Sequence, residues 1–367
     1  MGKVKHDKKE FANRVRTGML ISLGVYAVIS AAVFVFAKQL LALMAADTTI
    51  ITASTSYIRI ESIANVFIVL SQFALVALVT LNKSKYLYAL TGVRLILCLG
   101  TDTLLVSDLP VSANLGVNGI AYSNIIVNAV LLVVSILLLA KEGICIFRKE
   151  YWNFAWAKEF IKIGGISGIE SLVRNAAYMV MIARMVNVVN EQGTYWVANN
   201  FIWGWLLLPV VQLGELIKQE ISTERKNIQR NSLGYLFITV IICLLWFLSV
   251  PVWKPFMLHI LGFSDVDKLF ELVLILLGFY VLFAFQNVFD STFYGLGKTK
   301  YMLFESVITN TIYYGTAFAL YLTGIWVPTL TGIALLFGVG NAFDSIVSFG
   351  AYGFFLRKQR LSIYPAE

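Results

Sequence analysis

Several charged residues fall inside stretches of sequence that are otherwise apolar. Glu170 and Arg174 are four positions apart, so on a helix they share one face and can form an ion pair. Asp290, Glu305 and Asp344 follow in three later apolar stretches. Carboxylates that meet in a nonpolar interior can bind sodium through their oxygens or take up a proton. This pattern predicts a site for Na+ or H+ among residues 170–344.

A second group of polar residues suits an organic substrate. Arg94 and Arg174 fall in the middle of apolar stretches, and a guanidinium pairs well with phosphate or carboxylate groups. Asn175 adjoins Arg174, while Asn128 and Asn341 lie in apolar stretches of the two halves. We interpret these five residues as candidates for the lining of a substrate cavity.

Motifs for catalysis or for a bound cofactor are not convincing. The stretch Gly295–Thr299 resembles the end of a phosphate-binding loop, but Thr292 stands where that motif requires its first glycine. His6 and His259 are the two histidines, and they are far apart in the sequence. We therefore predict that the protein is not an enzyme and that it has no metal site, no cofactor and no disulfide framework.

The elements that position the polar residues are predicted to be membrane-spanning helices. Of the 367 residues, 59% are apolar and 14% are charged, whereas a soluble domain carries roughly a quarter charged residues. A helix needs about 20 mostly apolar residues to cross a bilayer, and the stretches are too long and continuous for a β-barrel. Ten stretches qualify: 17–43, 56–81, 86–107, 115–140, 160–186, 195–217, 233–258, 269–294, 301–323 and 329–356. The expected fold class is an all-α membrane protein of about ten transmembrane helices.

The charges in the loops give the predicted orientation. Lysines and arginines cluster on alternate loops, which include Lys83, Arg148 and Arg225, whereas the opposite loops hold Lys268 beside several acidic residues. Because positive loops face the cytoplasm, we predict a multi-pass protein of the cell membrane with both termini cytoplasmic. The same distribution accounts for the net charge of +8 without a nucleic-acid partner.

An internal repeat divides the chain. The sequence Leu81–Tyr86 is similar to Leu296–Tyr301, Gly119–Ala121 to Gly332–Ala334, and Asn128 aligns with Asn341. Both copies run in the same direction, as in two-lobed transporters with parallel repeats. The predicted organisation is a cytoplasmic tail (1–16), a four-helix lobe (17–140), a cytoplasmic loop (141–159), a six-helix lobe (160–356) and a second tail (357–367).

The two copies differ in length. The second contains six predicted helices and the first contains four, so the first lobe lacks a counterpart for the opening helix pair. From the repeat we expect a truncated gene, a wrongly assigned start or a reduced form of the protein.

Three segments carry a resemblance to a known family. Leu115–Ala121, Ile161–Glu170 and Leu330–Ala334 resemble helix openings of MATE (multidrug and toxic compound extrusion) transporters, of the multidrug/oligosaccharidyl-lipid/polysaccharide superfamily. The resemblance extends over family helices three to twelve. It implies a V-shaped pair of lobes around a central cavity, and export of organic cations and other amphiphiles in exchange for sodium ions or protons.

The resemblance also suggests roles for individual residues. Glu170 and Asp290 match coupling carboxylates of family helices seven and ten, and Asp102 matches that of helix five. However, Cys98 replaces the asparagine that the family has one turn earlier, so a proton site in the first lobe is in doubt. Together with the carboxylates already described, the ion-coupling candidates are Glu170, Asp290, Glu305, Asp344 and Asp102. Alternatively, Glu170 and Arg174 form an inert pair that only stabilises the lobe.

The leading hypothesis is a monomeric secondary active transporter that exports drugs or other amphiphilic small molecules by alternating access. A flippase for a lipid-linked saccharide or an anionic amphiphile is the main alternative, because Arg94 and Arg174 suit an anion. A membrane-embedded transferase or receptor is disfavoured by the short loops. The last alternative is a truncated transporter without function.

Overall fold

A computed structural model of the chain describes residues 8–44, 50–81, 84–146, 152–189, 191–224, 226–263 and 265–359. Much of the predicted basic tail, the C-terminal tail beyond residue 359, and the loop residues Lys83, Arg148, Lys149 and Arg225 lie outside the described residues.

Across the described residues the chain is helical, with no strand, which confirms the predicted all-α fold class. Long apolar runs adopt helices because a helix satisfies its own backbone hydrogen bonds, which lipid cannot do. The helices are α1 (Lys8–Leu43), α2 (Ile51–Thr80), α3 (Ser84–Leu105), α4 (Val117–Lys141), α5 (Ala157–Val189), α6 (Gln192–Phe201 continued by Ile202–Leu206, then Leu208–Thr223), α7 (Asn227–His259), α8 (Val266–Gly295), α9 (Thr299–Ile308, Thr309–Tyr314 and Gly315–Leu322) and α10 (Leu330–Gln359).

Eight of these helices are each long and apolar enough to cross a membrane, and the two arms of α6 together would form a ninth span. The predicted span 301–323 corresponds to α9, which is not apolar enough to count as a membrane-crossing helix by the same criterion. Glu305, Thr309 and Asn310 make that helix too polar. The polar residues of α9 face the cavity described below. The low hydropathy of α9 is therefore explained by its contribution to that cavity.

The α6 helix bends by 50° between its two arms. Pro209 stands in the first turn of the second arm. A proline has no backbone N–H to donate, and it is tolerated in a first turn because that N–H would have no helical partner there. The break between the two arms therefore lies next to Pro209.

Three helices contain a π-helical turn: Tyr178–Ala183 in α5, Ile202–Leu206 in α6 and Thr309–Tyr314 in α9. A π turn inserts an extra residue into an α-helix and is common at functional sites. All three turns contribute residues to the wall of one cavity.

The chain separates into two compact units. The first unit is Gly2–Lys158, in which α2 packs against α1 and α4, and α3 packs against α4. Buried apolar side chains between these helices include Val15, Leu78, Val127 and Leu139. The outer surface of α3 is almost entirely exposed, as expected for a helix that meets lipid.

The second unit is Glu159–Glu367. Here α8 is central, because it packs against α6, α7 and α10. Its buried apolar residues, among them Leu269, Val273, Tyr280 and Phe293, form much of the core. The polar residues of α8 lie on the side that faces α10 and the cavity.

An acidic cavity in the second unit

The second unit contains a cavity of about 520 Å³ lined by residues of α5, α6, α8, α9 and α10. Four of the five carboxylates predicted as ion-coupling candidates line it: Glu170, Asp290, Glu305 and Asp344. A linear sequence could not show that residues so far apart in the chain converge. Their roles in coupling remain a prediction.

Each of four helices brings to the cavity a pair of polar residues that are one turn apart, besides other polar residues. The pairs are Glu170 and Arg174 on α5, Gln286 and Asp290 on α8, Glu305 and Thr309 on α9, and Asn341 and Asp344 on α10. Residues three or four positions apart lie on one helix face. A polar stripe on each helix therefore meets the others, while the remaining faces stay apolar.

Asp290 and Asp344 are joined through one side chain. The Nε2 atom of Gln286 donates to Asp344 Oδ2 at 2.7 Å and to Asp290 Oδ2 at 3.1 Å. Gln286 is 2% exposed, and Ser345 Oγ donates to its Oε1 at 2.8 Å, which fixes the orientation of the amide. The two carboxylates therefore lie within two hydrogen-bond lengths of each other.

The other oxygens of these two aspartates also accept hydrogen bonds. Ser348 Oγ donates to Asp290 Oδ1 at 2.7 Å, and Thr309 Oγ1 donates to Asp344 Oδ1 at 2.7 Å. Hydrogen bonds to an ionised acceptor are stronger than neutral ones and favour its charged form. Both oxygens of Asp290 and of Asp344 therefore have a hydrogen-bond donor.

Glu305 has the opposite surroundings. Its side chain is buried, with 2% of the residue exposed, and neither carboxylate oxygen accepts a hydrogen bond within the described residues. Asp290, Asp344 and Glu170 are close enough to interact with it electrostatically. A buried carboxylate without a donor is costly unless it binds a proton or a cation.

Glu170 is paired, as its spacing from Arg174 predicts. Its Oε1 lies 2.9 Å from a guanidinium nitrogen of Arg174, and Tyr294 Oη donates to its Oε2 at 3.0 Å. The Glu170 side chain is 2% exposed, whereas that of Arg174 is 57% exposed. The ion pair thus joins a buried carboxylate to a guanidinium that is largely exposed.

Aromatic side chains line the rest of the cavity, among them Tyr178, Trp196, Trp203 and Phe337. The ring of Tyr178 meets those of Trp196 and Phe337 edge to face, with centroids 6.2 and 5.9 Å apart. Asn175 and Asn341, two of the predicted substrate-cavity residues, also line this cavity. The cavity therefore combines acidic groups with aromatic surface, which suits an amphiphile or an organic cation.

Three predicted site residues lie in the first unit. Asp102 is exposed near the end of α3, and Arg94 lines a small groove. Asn128 is buried between α2 and α4, where it accepts a hydrogen bond from Ser71 at 3.4 Å and donates to the Asn124 carbonyl at 2.8 Å. The sequence suggested that Asn128 lines a substrate cavity. In the structure its amide instead joins two packed helices.

Sequence reasoning missed the neutral residues that hold the carboxylates: Gln286, Thr309, Ser345 and Ser348. The available signal was their spacing, since Gln286 precedes Asp290 by four residues and Ser348 follows Asp344 by four. Among the described residues, no group of three or more histidine, cysteine, aspartate or glutamate side chains is arranged to hold a metal ion.

Part of the sequence matches the model of a known protein family. Residues 5–104 match the sequence model of the MatE family, while a search of curated proteins finds no significant match.

Solved structures with the same fold cover most of the chain. A transporter of the MOP superfamily from Pyrococcus furiosus, described as having a binding pocket of reversed polarity that suggests a different function, gives a TM-score of 0.75 at 16% identity over 96% of this chain and 81% of its own. An inward-facing multidrug resistance MATE transporter gives 0.74 at 15% identity, over 95% and 82%. A mutant MATE transporter of Vibrio cholerae gives 0.68 at 17% identity, also over 95% and 82%. The chain thus has the fold of MATE transporters over nearly its whole length, and its residues 5–104 match the MatE family model.

Proposed function

We propose that the protein is a secondary active transporter that exchanges an amphiphilic small molecule for a proton or a sodium ion across the cell membrane. The acidic cavity of the second unit carries the coupling ion. The observation that supports this most is a contrast: among the described residues Glu305 is buried without a hydrogen-bond donor, whereas its neighbours Asp290 and Asp344 accept a hydrogen bond at each oxygen.

This contrast gives the carboxylates different tasks. Hydrogen-bond donors surround Asp290 and Asp344, whereas Glu305 has none among the described residues, so Glu305 gains most from a proton or a cation. A cationic or amphiphilic molecule in the same cavity would meet the same carboxylates. Because both ligands favour the same negative charges, binding of one weakens binding of the other. Such competition is the physical basis of exchange transport.

The test is transport of a cationic fluorescent dye by purified protein in liposomes, driven by a proton gradient or by a sodium gradient. We expect wild-type protein to respond to one of the two gradients. Asp290→Asn and Glu305→Gln keep the size of the side chain but remove the charge, and we expect each to abolish the response to that gradient.

A matched control is available on the same helix as Asp290. Glu271→Gln changes an exposed carboxylate near the start of α8, and we expect its gradient-driven transport to equal that of the wild type. Full gradient-driven transport by Asp290→Asn and Glu305→Gln would refute the proposed role of the cavity. No flux of any cationic dye with either gradient would refute export of cationic drugs.

One observation favours a flippase or exporter for an anionic amphiphile as a second candidate. Arg174 carries a charge into the cavity and uses one of its nitrogens in its ion pair with Glu170. The structurally similar Pyrococcus furiosus protein, with its pocket of reversed polarity, suggests that the fold accommodates different functions. Unchanged transport after both Arg94→Gln and Arg174→Gln would count against an anionic substrate.

A further inference from the structure

An arginine stands unpaired in the middle of a membrane helix of the first unit. Arg94 is central in α3, roughly 15 Å from either end at about 1.5 Å per residue. Among the described residues it makes no ion pair and no side-chain hydrogen bond. A charge at this depth is costly unless a partner or a polar surface receives it, and such residues are functional candidates.

Arg94 differs from Arg174 in its lack of an acidic partner among the described residues. Arg174 is also central in an apolar helix, but Glu170 on the same helix face neutralises it at 2.9 Å. Arg94 has no acidic residue at the corresponding positions, because Leu90 precedes it by four and Cys98 follows it by four. The charge of Arg94 is therefore available to a ligand.

Arg94 lies in a small groove between α2, α3 and α4, with a volume of about 60 Å³. Its polar neighbours there are Ser71, Gln72, Thr91 and Ser135, and none of the described residues that line the groove is a carboxylate. The hydroxyls of Ser71 and Thr91 donate to backbone carbonyls of their own helices. Ser135 is 1% exposed, and its hydroxyl makes no hydrogen bond within the described part of the unit. The guanidinium of Arg94, the amide of Gln72 and the hydroxyl of Ser135 are therefore the donors left for a ligand, and such donors suit a phosphate or a carboxylate.

We propose that this groove binds one anionic group, a phosphate or a carboxylate, of an amphiphilic molecule. Its volume admits a single such group and leaves the apolar remainder of the ligand outside, against the exposed apolar surface of α3. The ligand is either a bilayer lipid or a transported substrate. The site depends on the proposed function only where the ligand is the transported molecule, since binding itself requires no ion gradient.

The test measures binding of dodecyl phosphate to the purified protein in a neutral detergent, by isothermal titration calorimetry. We expect Arg94→Gln to weaken binding at least about tenfold, because it removes a charge-assisted contact. Arg94→Lys keeps the charge and should retain part of the affinity. Ser135→Ala should weaken binding by a smaller factor of about three, with Arg94 intact.

The matched control is Arg59→Gln, an arginine of the same unit whose Nε donates to the Phe34 carbonyl at 3.2 Å. We expect it to bind dodecyl phosphate as the wild type does. Parallel titrations with inorganic phosphate identify the source of the anion. Binding of dodecyl phosphate alone supports a lipid-like ligand, and Arg94-dependent binding of both supports a free anion as well.

Equal affinity of Arg94→Gln and wild type for dodecyl phosphate would overturn the proposal, and so would no binding at all. If Arg94→Gln does not fold, equal affinity of Ser135→Ala and Arg94→Lys with wild type would overturn it instead. Because no gradient is used, these results are independent of whether the acidic cavity couples transport.

Discussion

At the scale of residues, the central feature is an amide held between two acids. Gln286 donates to both Asp290 and Asp344, and Ser345 prevents its amide from turning over. Among the described residues, no donor reaches Glu305 beside them. Neutral side chains thus provide hydrogen bonds to two of the carboxylates, and Glu305 is the one that we propose to bind the ion.

Gln286→Leu tests this arrangement. The change removes a donor from each aspartate and one of the two acceptors of Ser345, whose hydroxyl also lies 2.8 Å from the Asn341 carbonyl, so we expect a loss of about 2–4 kcal/mol in the free energy of unfolding. Unfolding in detergent, followed by intrinsic tryptophan fluorescence, measures it. In the background of Asp344→Asn the same change should cost less, because part of the interaction is already gone.

Gln212→Leu is the matched control for this experiment. Gln212 is an exposed glutamine on α6 of the same unit, and replacing it should change the free energy of unfolding by less than about 0.5 kcal/mol. Equal effects of Gln212→Leu and Gln286→Leu would show that the bridge between the aspartates contributes nothing.

Much of the site could be predicted from the sequence, because ionisable residues in apolar spans are rare and costly. Glu170, Asp290, Glu305 and Asp344 stand out on this ground alone. The sequence could not indicate that Gln286 joins two of them or that Asn128 is used in packing, since both facts depend on which helix faces meet. In the sequence, an amide residue in an apolar span looks the same whether it binds carboxylates or packs between helices.

At the scale of elements, the cavity depends on helices that depart from regular α geometry. The π turn of α9, Thr309–Tyr314, contributes Thr309, Asn310 and Tyr314 to the cavity wall. At its end, the Tyr314 hydroxyl donates to the Phe337 carbonyl of α10 at 3.4 Å. The hydropathy pattern predicted the helices, but π turns have no comparable sequence signal.

Close approach of α9 and α10 requires a glycine. A Cβ atom on Gly340 would lie 2.2 Å from Tyr314 Oη, so Gly340→Ala must displace the tyrosine. We expect a loss of about 1–3 kcal/mol, as for other overpacked sites. Thermal unfolding in detergent is the measurement, with the midpoint compared against wild type.

Gly350→Ala provides the control in the same helix, because a Cβ atom there would have no neighbour within 4 Å. An alanine in an open helical position is expected to be neutral or stabilising by about 0.5–1 kcal/mol. A lower unfolding midpoint for Gly350→Ala than for Gly340→Ala would contradict the packing argument.

At the scale of the whole molecule, the chain is a multi-pass membrane protein whose two units have different chemistry. The cavity of the second unit is lined by four carboxylates, whereas the groove of the first unit contains an arginine and no acid. The orientation in the membrane rests on the loop charges and remains a prediction.

Cysteine labelling tests the orientation. Cys145 is exposed in the loop after α4, which we predict to be cytoplasmic, and Asp108 is exposed in the opposite turn. In a chain with Cys98→Ser and Cys243→Ala, we expect a membrane-impermeant maleimide to label Cys145 in lysed cells only. With Asp108→Cys and Cys145→Ser, labelling should occur in intact cells. The reverse result would invert the orientation.

The most direct test of the proposed coupling site is ion release on substrate binding. Purified protein in weakly buffered detergent is mixed with a transported dye, while a pH indicator follows protons and a sodium electrode follows sodium ions. We predict that wild-type protein releases one of these ions when the dye binds, and that Glu305→Gln binds the dye without releasing it. Release of the same ion in the same amount by Glu305→Gln would contradict the proposal that the acidic cavity of the second unit couples transport.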